Sequence, residues 1–130
     1  MLVDLDVGDP RPVFRQIADE VVRCVAVGVL KPDDPLPAVR QMAADLSVNA
    51  NTVQHAYRTL EREGVVYVKR GRGTFVSPQP KDGSQARHAT VARQIAARML
   101  REGFRHGLLG SDLIAALREL SGRRPTSSGR

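Results

Sequence analysis

Apolar residues recur through the first half of the chain at helical spacing. Val39, Met42, Ala43 and Leu46 fall at i, i+3, i+4 and i+7, one face of a helix. Val53, Ala56, Tyr57 and Leu60 repeat that spacing, and the short stretch between the two sets, residues 47–52, is polar and rich in capping residues. Two short helices and a tight turn are the outline of a helix-turn-helix. Upstream, Phe14, Ile17, Val21, Val22 and Val25 mark another stripe, with Asp19 and Glu20 on the opposite side. Proline at 10 and 12 suits the opening of that helix, and Gly28 is placed to end it in the left-handed conformation. Its β-branched residues lower helix propensity, so packing must hold it. Pro32, Pro35 and Pro37 make residues 31–37 a turn.

Beyond Gly64 the pattern changes. Residues 65–68 and 74–76 are short β-branched and aromatic runs around Lys69-Arg70-Gly71-Arg72-Gly73, which predicts a hairpin. Residues 77–88, SPQPKDGSQARH, have the composition of a linker. Thr90 is placed to cap a fourth helix carrying Val91, Ile95, Met99 and Leu100, which stops near Gly103 or Gly107. Ser111 is placed to cap a fifth, with Leu113, Ile114, Leu117 and Leu120 inward and Gly122 at its end. The remainder is polar and Gly/Ser-rich, and disorder is expected there. The predicted fold is mainly α with a small β-hairpin: a winged helix-turn-helix domain over residues 1–77, a linker over 78–89, a two-helix region over 90–122 and a tail over 123–130.

Composition narrows the class. At 42% hydrophobic and 26% charged, the chain resembles ordinary soluble domains. No apolar run approaches the ~18–20 residues that span a bilayer, and the acidic first residues do not resemble a signal peptide. Cys24 has no second cysteine to pair with and falls on an apolar helical stretch, so it is read as a small buried hydrophobe. A cytoplasmic location is expected. The net charge of +6 is unevenly spread. Residues 1–38 hold four Lys/Arg against seven Asp/Glu, residues 39–78 six against three, and residues 79–130 ten against four. Total charge alone therefore does not argue for nucleic acid; the placement of cations around the helix-turn-helix does.

The outer face of the second helix of that motif carries Ala50, Asn51, Gln54, His55 and Arg58. Asn and Gln pair bidentately with adenine in a major groove, and a methyl packs on thymine. Asn49 is suited to cap the helix through Asn51 or Thr52. Arg40, in the first turn of the preceding helix, has the reach for a phosphate or a guanine edge. Lys69, Arg70 and Arg72, interleaved with Gly71 and Gly73, make a basic wing tip able to enter a minor groove or hold flanking phosphates.

These residues have a recognisable counterpart. LPAVRQMAADLSVNANTVQHAYRTLEREGVVYVKRGRGTFV resembles the winged helix-turn-helix domain of the GntR family of bacterial transcription regulators, and PVFRQIADEVVRCVAVGVLKPDDPLP resembles the family's first helix and turn. The likeness runs from Pro12 to Val76. The short two-helix tail is similar to that of the YtrA-type subfamily, where it serves dimerisation. The resemblance implies DNA contacts from Arg40, from Asn49, Asn51, Thr52 and Gln54, and from Arg70 and Gly71 with Arg72 beside them. Two departures stand out. Ala38 replaces the usual capping Ser, and Ala50 and Gln54 occupy positions where some members carry arginine, so the base sequence read here does not carry over from those members.

Two helices with so few large apolar residues cannot form an independent core. Val91, Ile95, Met99, Leu113, Leu117 and Leu120 are expected to bury against a second copy of the chain. The expected function is a homodimeric repressor on a near-palindromic operator in double-stranded DNA. A small-molecule effector of unspecified chemistry would have to bind at the dimer interface or beside the C-terminal helices. The alternative is a winged-helix module that binds protein; it calls for an apolar or acidic outer face, where Asn51, Gln54 and Arg58 stand. No nucleophile–base–orienter set, cofactor fingerprint or metal-ligand spacing is present, and His88, His106 and Asp112 do not make a metal site. An enzyme is not expected.

Overall fold

Among the described residues, helices and strands follow one another as α1 (Val13–Ala26), α2 (Val39–Leu46), α3 (Ala50–Arg62), β1 (Val66–Lys69), β2 (Gly73–Val76), α4 (Gln85–Arg105) and α5 (Gly110–Gly122). The computed structural model describes residues 5, 6, 8–78 and 85–122. They form two compact units, one reaching Pro78 and one holding α4 and α5.

In the first unit, each helix ends where local chemistry ends it. Past α1, Gly28 adopts φ +83°, its N–H donates to the Val25 carbonyl, and the Val29 N–H reaches back to Cys24 at 2.9 Å. This crossed pair satisfies carbonyls that the helix leaves free. Gly64 (φ +80°) ends α3 the same way, with the Val65 N–H on the Leu60 carbonyl at 2.9 Å. The turn between α2 and α3 has no glycine. Ser47 takes the left-handed conformation instead, at φ 57°. Asn49 then opens α3, its side chain accepting from the Asn51 N–H at 2.7 Å.

The helices enclose a single core. Ile17, Ala18, Val21 and Cys24 of α1 meet Met42 and Ala43 of α2 and Val53, Ala56, Tyr57 and Leu60 of α3, with Val66 and Val76 closing one side. Burying each larger side chain contributes roughly 1.5–3 kcal/mol. Cys24 is fully buried among them, as a small hydrophobe should be. The α1 stripe differs in detail from expectation. Val22 is 40% exposed, because the face is set by Ile17, Val21 and Cys24 at i, i+4 and i+7. Glu20, expected on the solvent side, is buried and bonded to the Arg23 Nε at 3.1 Å. Each charge is thus held by the other out of water, the condition under which burial is tolerated.

The wing is an antiparallel hairpin in the register Val66↔Val76 to Lys69↔Gly73. Its outer edge is not free. The proline-rich turn runs beside β2, with the Asp33 N–H on Val76 O, the Val76 N–H on Asp34 O and the Leu36 N–H on Thr74 O, each at 2.8 Å. Prolines suit such an edge because they have no N–H to leave unpaired. The segment read as a turn therefore also serves as a third strand-like edge.

The second unit departs most from expectation. Helix α4 starts at Gln85, inside the stretch read as linker, because Gln85, Ala86 and Arg87 are good helix formers. Thr90 lies within α4 rather than capping it, its hydroxyl donating to the Ala86 carbonyl at 3.0 Å. Likewise α5 begins at Gly110, before Ser111, and it is the Asp112 carboxylate that takes the Leu109 N–H at 2.7 Å. The two helices meet at a close approach, where a Cβ on Gly103 would lie 3.0 Å from the Leu113 side chain. No residue of α5 is buried. Residues 79–84 of the expected linker and the expected tail, 123–130, lie outside the described residues.

Candidate nucleic-acid interface

Helix α3 has two chemically different sides. Val53, Ala56, Tyr57 and Leu60 face the core, and Thr59 is buried with its hydroxyl donating to the His55 carbonyl at 2.9 Å. Asn51 and Arg58 are exposed on the other side, Ala50 is exposed at the N-terminus, and Thr52 and Gln54 are half-buried at the edge. Among the described residues, the side chains of Asn51, Gln54 and Arg58 have no hydrogen-bond or ion-pair partner. Their donors and acceptors are open to an external ligand. Asn49 differs, since its side-chain oxygen is occupied by the cap.

The presentation of α3 depends on Tyr57. Its hydroxyl donates to the Pro37 carbonyl at 2.7 Å, which ties the middle of α3 to the proline-rich turn two residues ahead of α2. Burial pushes the Tyr57 phenol well above the usual range, so this hydroxyl stays a donor at any physiological pH. Arg40, three residues beyond that anchor, is exposed in the first turn of α2 with no partner among the described residues.

At the wing tip a closed turn holds the backbone, and two arginine side chains leave it unpaired among the described residues. Gly71 sits at φ +78°, and the Arg72 N–H closes the turn on the Lys69 carbonyl at 2.9 Å. Positive φ at the third position of a turn is where glycine is required. Arg70 and Arg72 project from this turn, exposed and unpaired among the described residues. Lys69 is held back, its ammonium 5.5 Å from the centre of the Phe75 ring. Below it, the Tyr67 hydroxyl donates to Asp33 at 2.6 Å, and this hydrogen bond raises the phenol's pKa. The wing is thereby fastened to the proline-rich edge.

His55 behaves differently from its neighbours. Its ring lies face to face with that of Phe14, centroids 3.7 Å apart and planes 15° apart, so it is engaged with α1. The amino-acid pattern does not disclose this pair, the Tyr57–Pro37 bond or the left-handed Ser47. The first two are long-range interactions without a local signature. A non-glycine at positive φ is legible only as a glycine missing from where a turn wants one.

In the second unit, Met99 and Leu113 are half-buried, while Val91, Ile95, Leu117 and Leu120 are exposed. Phe104, which belongs to neither predicted stripe, is 82% exposed. Among the described residues no three His, Cys, Asp or Glu side chains converge as metal ligands, and no helix is long and apolar enough to cross a membrane.

Comparison with known proteins agrees with this architecture. The family model described as bacterial regulatory proteins, gntR family, matches residues 14–76. The HTH-type transcriptional repressor YtrA of Bacillus subtilis is 39% identical over 80 residues, 62% of this chain and 62% of that protein. The chain thus spans less than two thirds of that relative's length. Among solved structures, YtrA from Sulfolobus acidocaldarius, a GntR-family transcription factor, superposes with a TM-score of 0.58 at 32% identity, covering 74% of this chain and 99% of that one. AraR(DBD), solved in complex with operator ORE1, gives a TM-score of 0.51 at 25% identity over 59% of this chain and 94% of that one.

Proposed function

We propose that this chain, which belongs to the GntR family of bacterial regulatory proteins, is a sequence-specific DNA-binding transcription regulator that acts as a homodimeric repressor. The observation that carries the proposal is the open hydrogen-bonding face of α3, Asn51, Gln54 and Arg58, beside unpaired Arg40 and a wing tip bearing Arg70 and Arg72. Polar side chains with unsatisfied donors and acceptors on the outer side of a helix suit base edges in a major groove. Flanking arginines suit phosphates, which fix register without reading sequence. A relative named as a repressor, and an operator complex of a similar domain, support the same reading.

The roles divide by chemistry. Asn51 and Gln54 read bases, with Ala50 and Thr52 supplying methyl surface. Asn49 holds the end of α3, and Arg40, Arg58, Arg70 and Arg72 hold the backbone. Lys69 contributes charge from the side of the wing. Two copies joined through Val91, Ile95, Met99, Leu113, Leu117 and Leu120 present two α3 helices to successive major grooves, so the operator is near-palindromic. Repression follows from occupying the promoter. The protein acts in the cytoplasm, on the nucleoid.

Arg40→Ala and Arg70→Ala are the direct tests. Each is expected to weaken binding to the DNA upstream of the protein's own gene and to reduce the salt dependence by about one unit of slope per phosphate contact. An Arg40→Ala protein that binds as tightly as wild type, with the same slope, removes Arg40 from the interface.

A further inference from the structure

We infer that His55 is a positioning residue of the recognition helix, acting through Phe14, rather than one of the groups that touch DNA. This inference rests on the regulator reading above and assigns a role within that same surface. His55 sits on the outer half of α3, between Gln54 and Arg58 on one side and α1 on the other. From sequence alone its imidazole counts with the base-reading side chains.

The geometry says otherwise. The imidazole and the Phe14 ring are stacked at 3.7 Å with planes 15° apart, so one whole face of the imidazole is covered. Phe14 in turn carries the Arg15 guanidinium 5.5 Å from its centre. Arg15 extends to Glu63 at the C-terminal cap of α3, 3.7 Å away, and to Asp19 on its own helix at 3.9 Å. Arg11, bonded to Asp9 and Asp19, stiffens the start of α1. The entry of α1 is therefore fastened to the exposed flank of α3 at two points, His55 and Glu63. The buried side of α3 is fixed by Val53, Ala56, Tyr57 and Leu60. A helix held on its inner side alone can still roll, and a roll of α3 swings Asn51 and Gln54 across the base edges they would read. The His55–Phe14 stack opposes that roll. An aromatic pair of this kind supplies an interaction beyond simple burial, and a small misplacement of the recognition groups weakens every hydrogen bond they would make to the bases at once.

Two substitutions at the same position separate positioning from contact. A positioning role needs a flat ring at 55 and an aromatic partner at 14, but no ring nitrogen. His55→Phe keeps the ring and removes both nitrogens, whereas His55→Ala removes everything. Operator affinity is measured for the full chain by fluorescence anisotropy on its own upstream DNA, at two salt concentrations and on duplexes carrying single base-pair changes. His55→Ala is expected to weaken binding about three- to tenfold at all operator positions alike, while His55→Phe stays within twofold of wild type. Both should leave the salt slope unchanged. Phe14→Leu should weaken binding as His55→Ala does, and the double variant should be no weaker than either single one, since both break the same stack.

If His55→Phe binds as poorly as His55→Ala and loses preference at one base pair, His55 is a base contact and the inference is wrong. Additive losses in the Phe14→Leu/His55→Ala pair also overturn it. A wild-type protein that cannot tell its upstream DNA from scrambled DNA sinks the regulator reading itself, and the inference with it. That outcome is distinguishable because it precedes any substitution. Thermal melting of each variant guards against a trivial loss of fold: a variant that melts like wild type and still binds weakly has kept its structure, and the single base-pair changes then separate lost orientation from a lost contact.

Discussion

Ala38 has the backbone of a helix cap, φ −59° and ψ 149°, and no side-chain oxygen to use it. The first amides of α2 are left without the partner that Asn49 provides for α3. Ala38→Ser is therefore expected to stabilise the first unit by about 1 kcal/mol, a rise of roughly 4–8 °C in Tm for a domain of this size, measured by circular dichroism. Gly71 is the opposite case. At φ +78° a Cβ meets no neighbouring atom but is strained by the backbone itself, and Gly71→Ala should cost about 1–2 kcal/mol. That cost falls on the wing tip, so it should appear as weaker DNA binding, faster local amide exchange at residues 69–73 and, by the same conversion, a fall of at least about 4 °C in Tm. At this scale much was legible in sequence. Asn49, Gly28 and Gly64 occupy the positions that their chemistry predicts, because a cap is decided by a handful of adjacent residues. Glu20 was not, since its burial depends on what covers α1, and periodicity says nothing about that.

At the scale of elements, the α-helical period placed α1, α2 and α3 and their inward faces, and the change to β-branched runs placed the hairpin. Two features escaped. The proline-rich turn doubles as an edge for β2, which only strand pairing reveals, and α4 starts earlier than its apolar stripe. The stripe begins at Val91, whereas Gln85, Ala86, Arg87 and Ala89 favour helix by propensity, and residues 85–90 carry no large apolar side chain. The candidate site was legible as a face, through the contrast between Asn51, Gln54 and Arg58 and the later Glu61 and Glu63. The contacts each residue on that face makes within the fold were less so, as the stack of His55 on Phe14 illustrates. The apolar stripes of α4 and α5 lead to a further prediction. With Ile95 44% and Leu117 47% exposed, the proposed dimer should be broken by Ile95→Glu or Leu117→Glu. Sedimentation velocity should then show a monomer, and operator affinity should drop by more than about tenfold while the first unit stays folded, because a lone half-site contact forgoes the gain of joint binding. Variants that remain dimeric would move the interface elsewhere.

Over the whole molecule, the basic excess is not where bases would be read. Residues 79–130 carry ten Lys/Arg against four Asp/Glu, while residues 39–78 carry six against three. The proposed reading surface is thus selective through hydrogen bonding and placement more than through bulk charge. The measurement that tests this most directly is an anisotropy titration of the full chain against its own upstream DNA and a scrambled duplex of equal length and composition, at two salt concentrations. A preference of at least about a thousandfold for the upstream sequence is expected, retained at the higher salt while both affinities fall. Equal affinity for the two duplexes at both salts would contradict it.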